Sequence, residues 1–374
     1  ESSYREIIEL ADNVYNSRIN LYEIGNDTPE NIYEEMEALV EERGNNPVTE
    51  FGMMGPHEKI NEIYGSLLRA GITVIVARSG VGKTQFCMDY STKVSLKYDV
   101  PVLHFDNGEM SKEELIMRQC AALSGVAMHL LESGKWRNAG EDIVEKVRSV
   151  WPKIRNLKFY YYNVGGMDVD SMVNTLKRFY YAKVGRGNQM VFSFDYIKTT
   201  SESGGNKSEW QVVGEMVDKF KKCVQKEILH EGNPVIPMIT SVQSNRYGIT
   251  NNRNSQNVVD DESIVSLSDR ITQFCSHMFI LRSKTGDEVE SEGERFGSHK
   301  LINVKARHLG RDIAGAIEPV SIGDTLRKNA INLNFNNFNI TERGDLRDIA
   351  RALNGEEELD TNEHQEQIPD FDQF

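Results

Sequence analysis

A chain of 374 residues, with 39% hydrophobic and 27% charged side chains, can bury a substantial core in one large domain or two modest ones. It holds no run of about 18 apolar residues, which excludes a membrane-spanning helix. A formal net charge of −14 argues against a surface that coats nucleic acid without specificity.

The first element in chain order is an amphipathic helix in SSYREIIELADNVYNSRI, with Tyr4, Ile7, Ile8, Ala11, Val14 and Tyr15 at helical spacing. Residues 20–28 break it. Pro29 opens a second helix with Thr28 as its N-cap, and GNNP ends that one. A lone amphipathic helix cannot bury its own stripe, so the segment 1–49 docks either on the chain's own core or on a neighbouring subunit. The chain begins at Glu1 rather than Met and shows no signal-like segment, which is consistent with a fragment whose upstream part is not in this sequence.

From about residue 50 apolar runs alternate with helical stretches. Strands are expected at ITVIVA (72–77), PVLHF (101–105), KFYYYN (158–163), MVFSFD (190–195), PVIPMITS (234–241), HMFILR (277–282) and KLINVK (300–305). Helices such as KTQFCMDYSTKVSL and EWQVVGEMVDKFKKCVQKEIL lie between the first five. That alternation implies an α/β fold, its mostly parallel sheet covered on both faces. Residues 50–325 form this main domain, 326–354 a C-terminal extension, and 355–374 a solvated acidic tail without a single Lys or Arg. Cys87, Cys120, Cys223 and Cys275 are scattered, which points to buried thiols in a reducing compartment rather than disulfides or zinc.

The strongest chemical signal is ARSGVGKT (77–84), between a strand and a helix. It follows the phosphate-loop pattern G-x-x-x-x-G-K-[ST], with Ala77 in place of the first glycine. Gly80 and Gly82 let the backbone wrap a phosphate, and the helix starting near Lys83 offers free N–H groups and a positive dipole end. Lys83 would bridge the β- and γ-phosphates of ATP, and Thr84 would hold Mg²⁺. Ser79, Val81 and Gln85 complete the expected nucleotide-binding set. VFSFDY (191–196) ends an apolar strand in Asp195, the form of a Walker B carboxylate that positions Mg²⁺. FDNGEMS (105–111) places Glu109 at another strand end, where it either orients the attacking water or serves only as a helix N-terminal carboxylate. TSVQSNR (240–246) offers Gln243 as a neutral group that can sense the γ-phosphate. VKARHLGRD gathers Lys305, Arg307, His308 and Arg311; alone it is either a solvated basic turn or a site for a negative group supplied from elsewhere.

The order ARSGVGKT, PVLHFDNGEMS, FDYI, ITSVQSNR and KARHLG resembles the RecA-like motor domain of DnaB-type replicative helicases, in a phage-type version, over about residues 50–325. The GEMS, QSNR and K-x-R elements are more diagnostic than the phosphate loop, which very many ATPases share. The resemblance implies a RecA-like core and a homo-hexameric ring that hydrolyses ATP at subunit interfaces while moving along single-stranded DNA at a replication fork. It implies that Lys305 neutralises γ-phosphate charge and that Arg307 is an arginine finger, both acting on the neighbouring subunit's nucleotide. It places two DNA-contacting loops after Asp195 and after Gln243; Lys198, Gly204, Gly205, Lys207, Arg246 and Arg253 are their candidate contacts, with plain solvated polarity as the alternative.

By the same resemblance the first helix matches the family's linker helix, which packs on the adjacent subunit. Primase, a helicase loader or a single-stranded DNA-binding protein are implied partners, with the bacterial host cytoplasm as the location of a phage-encoded member. Two departures stand out. ESIVSLSDR replaces the cellular DLRESG-like element, so no arginine matches there, and the family's globular N-terminal domain is missing, either omitted from this fragment or lacking in this lineage. A RecA-like recombinase or filament-forming ATPase, and a ring ATPase that switches without unwinding, remain the alternatives, because fold alone does not choose function.

Overall fold

The computed structural model describes residues 36–47, 51–198, 209–244 and 269–355, with a few isolated positions ahead of residue 36. Most of the expected first helix, the segments carrying Gly204, Gly205, Lys207, Arg246 and Arg253, and the tail beyond Gly355 lie outside the described residues.

Nine strands form one sheet: β1 (Gly71–Ala77), β2 (Val102–Asp106), β3 (Phe159–Asn163), β4 (Val191–Asp195), β5 (Pro237–Gln243), β6 (His277–Ser283), β7 (His299–Ala306), β8 (Ala330–Asn336) and β9 (Asn339–Asp345). Their order is β9-β8-β7-β6-β1-β5-β4-β2-β3. The strands from β6 to β3 are mutually parallel, and β7, β8 and β9 join antiparallel. The helices used below are α1 (Met36–Asn45), α2 (Glu58–Tyr64), α3 (Lys83–Tyr98), α4 (Lys112–Ser124), α5 (Glu141–Arg155), α6 (Val169–Phe179), α7 (Glu209–Lys222), α8 (Asp269–Phe274), α9 (Gly286–Glu292) and α10 (Leu346–Leu353).

Alternate residues of each central strand feed opposite cores, as the period of two demands. Ile72, Val74 and Val76 pack with Phe192, Phe194 and Met238 beneath α6 and α7. Ile75 and Ala77 join Phe86, Tyr90, Ile239 and Phe279 beneath α2 and α3. This is why the buried strands read as unbroken apolar runs. By contrast α1 buries none of its side chains, and Met36, Leu39 and Val40 are each more than half exposed, at 53%, 52% and 62%.

The sheet does not stop at β7. Residues 330–345, read from sequence as part of an extension beyond 325, add β8 and β9 to the same sheet. Their signal is partly hidden: Ile331, Leu333 and Phe335 alternate with asparagines, and the turn uses Asn337 and Phe338 at φ 46° and 67° instead of glycine. This hairpin ties the neighbouring helices together. Asn337 donates to the carbonyls of Ala121 (3.0 Å) and Val126 (2.8 Å) at the end of α4. Lys93 on α3 reaches the Asn339 side chain and the Ile340 carbonyl, both at 2.8 Å. Glu342 accepts the Lys59 and Ile60 backbone N–H groups at 2.8 and 3.1 Å, at the start of α2. Burial pushes the Glu342 carboxyl up to about 7.

A buried charge network closes the β6–β7 turn. Arg282 and Lys300 face each other across the antiparallel pair, an arrangement that repels unless an anion intervenes. Glu288 supplies it, accepting two bonds from Arg282 (2.7 and 2.8 Å) and one from Lys300 (2.8 Å). Glu292 bonds Lys300 at 2.5 Å and Lys284 at 3.0 Å. Thr285 and Glu288 form a capping box that fixes the start of α9 and so aims both glutamates inward. Burial works to raise the Glu288 carboxyl, but bonds and charge from Arg282 and Lys300 outweigh it and hold it well below its usual 4.5.

Glu288→Gln leaves two buried cations facing each other, so urea denaturation at pH 7 should show a loss of about 3–5 kcal/mol. A depressed folded-state pKa contributes stability that is complete above the unfolded value of 4.5 and fades as pH falls below it. The wild-type protein and the Glu288→Gln variant should therefore converge in stability under acid.

Candidate active site

The carboxyl ends of β1, β2, β4 and β5 meet at one edge of the sheet, where the chain order switches direction. The loop between β1 and α3 holds Gly80 at φ 82° and Gly82 at φ 102°, conformations that favour glycine. Ala77, in the place of the pattern's first glycine, is an ordinary buried strand residue paired with Gln243, so it needs no such freedom. The Val81 N–H closes a turn onto the Arg78 carbonyl at 3.3 Å. No side chain caps the start of α3, which leaves its first N–H groups facing the loop. Ser79 and Gly80 are exposed; Val81, Gly82, Lys83 and Thr84 are half-buried.

The β8–β9 hairpin packs against this loop from the side. A Cβ on Gly82 would stand 2.7 Å from the Phe335 ring. Phe335 stacks on His299 with ring centroids 4.1 Å apart, and His299 lies beside the Val81 backbone. Burial lowers His299 to about 4, so its ring is neutral at pH 7. Gln85, expected among the nucleotide ligands, is buried and turns its amide to the Phe338 carbonyl at 2.5 Å.

Asp195 ends β4 fully buried. Its Oδ1 accepts from the Ser241 hydroxyl at 3.0 Å, while its buried Oδ2 has no hydrogen-bond partner among the described residues. Lys83 sits with its ammonium 3.9 Å from the centre of the Tyr196 ring. Asp106, at the end of β2, pairs in register with Asp195 and accepts the N–H groups of Glu109 (2.9 Å) and Met110 (3.1 Å), shaping the turn that presents Glu109. Burial raises the Asp106 carboxyl, with the neighbouring Asp195 adding to the effect. Glu109 pairs with Lys198 at 2.5 Å, and its charge, after burial, holds the neighbouring Tyr196 hydroxyl above its usual range. Gln243 is the last residue of β5, beside the start of the loop.

Lys305 and Arg307 lie elsewhere. Lys305 pairs with Met278 at the amino end of β6, which sets both cations at least about 13 Å down the strands from the phosphate loop. There they cap the carboxyl end of α8: Lys305 on the Thr272 carbonyl, and Arg307 on the Gln273 carbonyl at 3.1 Å. Lys221 joins them, 5.1 Å from the Phe274 ring, its pKa lowered by burial and then by Arg307 and Lys305.

The sequence reading named Lys83, Thr84, Glu109, Asp195, Lys198 and Gln243, and the fold brings these to one edge. It did not single out Tyr196, Asp106, Ser241, His299, Phe335 or Lys221. Tyr196 and Asp106 adjoin named motifs and were within reach of sequence reasoning; His299 at the start of β7 and Phe335 on the β8–β9 hairpin are remote in the chain, with no local signal. Among the described residues no three His, Cys, Asp or Glu converge as a metal site. All four cysteines are buried and unpaired in disulfides, and among the described residues no helix is long and apolar enough to cross a membrane.

Comparison with known proteins agrees with this geometry. A replicative DNA helicase DnaB of Buchnera aphidicola is 26% identical over 225 residues, 59% of this chain and 46% of that protein. The Pasteurella multocida replicative DNA helicase DnaB is 26% identical over 342 residues, 86% of this chain and 64% of that protein. The chain thus spans about half the length of the curated relatives it matches. Among solved structures, an isolated ATPase domain superimposes with a TM-score of 0.64 at 17% identity, covering 84% of this chain and 99% of that one. A DnaB-like replicative helicase, solved in a study of its interactions with primase, gives 0.64 at 18% identity, covering 90% and 76%. These two establish a shared RecA-like fold. The model of the DnaB-like helicase C terminal domain matches residues 52–308, well over half of the chain, and with the phosphate loop, Glu109 and Asp195 gathered at one edge of that fold, this chain belongs to the DnaB-like helicase C-terminal domain family.

Proposed function

We propose that this chain is the motor of an ATP-driven replicative DNA helicase that works as a homo-hexameric ring on single-stranded DNA. The observation that carries this reading is the convergence of Lys83 at the start of α3, Glu109 in the turn after β2 and Asp195 at the end of β4, with a buried Asp195 oxygen that lacks a partner among the described residues. That oxygen and the Thr84 hydroxyl suit a hard cation such as Mg²⁺. When bound, Mg²⁺ would offset phosphate charge and fix the triphosphate's orientation.

The chain's own groups have distinct tasks. Backbone N–H groups of residues 80–84 cradle the phosphates at the start of α3. Lys83 exchanges the Tyr196 ring for β- and γ-phosphate oxygens, and the Ser241 hydroxyl keeps the Asp195 carboxylate oriented. Glu109 orients the attacking water and accepts its proton. Gln243, at the tip of β5 beside the phosphate loop, is placed to respond when the γ-phosphate leaves.

Lys305 and Arg307 stand too far down the sheet to serve the same protomer's nucleotide, which supports their acting on a neighbour's. Head-to-tail contacts close into a ring when every protomer presents its phosphate loop to the next one's K-x-R cluster. Exposed apolar side chains on helical residues before the core, Ile7, Leu10 and Val14 and then Met36, Leu39 and Val40, fit docking onto that neighbour. Lys198 and the loop residues Gly204, Gly205, Lys207, Arg246 and Arg253 remain candidates for DNA contact. Primase, a loader and a single-stranded DNA-binding protein are the partners this role calls for, in a cytoplasmic setting.

Lys83→Ala and Asp195→Asn should each reduce DNA-stimulated ATP hydrolysis by about 10²–10³-fold in a phosphate-release assay, without changing the far-ultraviolet circular dichroism. Arg307→Ala should lose about 10³-fold or more. Mixing Lys83→Ala with Arg307→Ala protein should restore hydrolysis, because about a quarter of the head-to-tail interfaces then pair an intact loop with an intact arginine. Mixed rings that stay inactive would place the arginine in the wrong role.

A further inference from the structure

Four side chains at the mouth of the phosphate loop form a continuous chain of contacts. The Lys83 ammonium lies 3.9 Å from the Tyr196 ring centre, Tyr196 lies within electrostatic reach of Glu109, and Glu109 Oε1 accepts from Lys198 Nζ at 2.5 Å. Lys198 Nζ is also 5.2 Å from the Tyr196 ring centre. One aromatic ring therefore separates the lysine that would hold phosphate from the lysine that holds the glutamate.

The backbone makes this arrangement specific. Asp195 is locked at the end of β4, and the Ile197 N–H is fixed on the Ser241 carbonyl at 3.0 Å. The Glu109 turn is pinned to the same strand end, since Asn107 donates its N–H to the Asp195 carbonyl at 2.8 Å and its side chain to the Tyr196 carbonyl at 3.3 Å. Lys198 is thus presented to Glu109 by a rigid edge. Yet the pair itself is open to solvent, with 28% and 33% of the two side chains exposed. An exposed ion pair holds weakly and yields to salt or to a competing anion. While it lasts, an ammonium occupies the carboxylate that must engage water.

We propose that Lys198 is a positioning residue that couples DNA occupancy to hydrolysis: it restrains Glu109 until a phosphate of single-stranded DNA takes its ammonium. The inference rests on the helicase reading above and adds to it the step by which DNA accelerates ATP turnover. Lysine suits the task because its charge sits at a flexible tip and can move from carboxylate to phosphate without rebuilding a bidentate geometry. No bond is made or broken in the exchange; one anion replaces another beside the ammonium, and Glu109 is left free for water.

The test is steady-state ATPase with and without oligo-dT, alongside oligo-dT affinity by fluorescence anisotropy. Lys198→Ala should raise the DNA-independent kcat by about 5-fold or more, leave KM for ATP within about twofold, and shrink the stimulation by oligo-dT towards one. Lys198→Arg should keep the low basal rate and much of the stimulation. Lys198→Ala combined with Glu109→Gln should fall to the rate of Glu109→Gln alone, since the gain runs through that carboxylate; a purely structural disturbance would not respect this order. Wild-type basal and stimulated rates in Lys198→Ala, or a low basal rate with lost DNA binding, would overturn the coupling and leave the helicase reading standing. A wild-type protein indifferent to oligo-dT would overturn the helicase reading itself.

Discussion

Parallel strands send their carboxyl ends to the same edge, so the residues that follow β1, β2, β4 and β5 meet there whatever their separation in sequence. Every element of the active site depends on that constraint. The phosphate loop starts from Ala77, the Glu109 turn from Asp106, the buried Asp195 carboxylate from the end of β4, and the Gln243 position from the end of the strand paired with β1. Hydrogen bonds between these strand ends, from Ser241 to Asp195 and from Asn107 to the Asp195 carbonyl, turn a meeting of loops into a fixed constellation. A preorganised site of this kind does not have to reorient its dipoles when charge develops.

The same register separates the two halves of the chemistry. Because β7 runs back antiparallel to β6, the chain delivers Lys305 and Arg307 to the opposite end of the sheet from the phosphate loop. Three cations, Lys221 included, gather there around α8, while the carboxylates Asp106, Glu109 and Asp195 gather at the other edge. One protomer thus carries the loop at one end and the guanidinium at the other. The head-to-tail ring proposed above would bring these complementary ends together.

The C-terminal hairpin has a quieter role. Phe335 rests against Gly82, His299 against Val81, and Glu342 and Lys93 tie α2 and α3 to β9. The phosphate loop is supported from outside by a segment about 250 residues later in the chain, which Gln85 also joins through the Phe338 carbonyl. The loop's shape therefore depends on residues that never approach the phosphates.

The sequence alone was enough to place the sheet's seven core strands and the phosphate loop between β1 and α3, because periodicity and glycine spacing are local signals; Glu109, Asp195 and Gln243 it offered as strand-end candidates whose roles came from the resemblance. It also carried the K-x-R element, through resemblance in motif order. It did not reveal that β8 and β9 complete the sheet, since asparagines interrupt the apolar alternation and the turn lacks glycine. Nor did it reveal the Lys198–Glu109 pair, the orphaned oxygen of Asp195, the Tyr196 ring between two lysines, or the buried network around Glu288. Those depend on which side chains face each other across strands and turns, and that pairing is a property of register and packing, which exist only once the chain has folded.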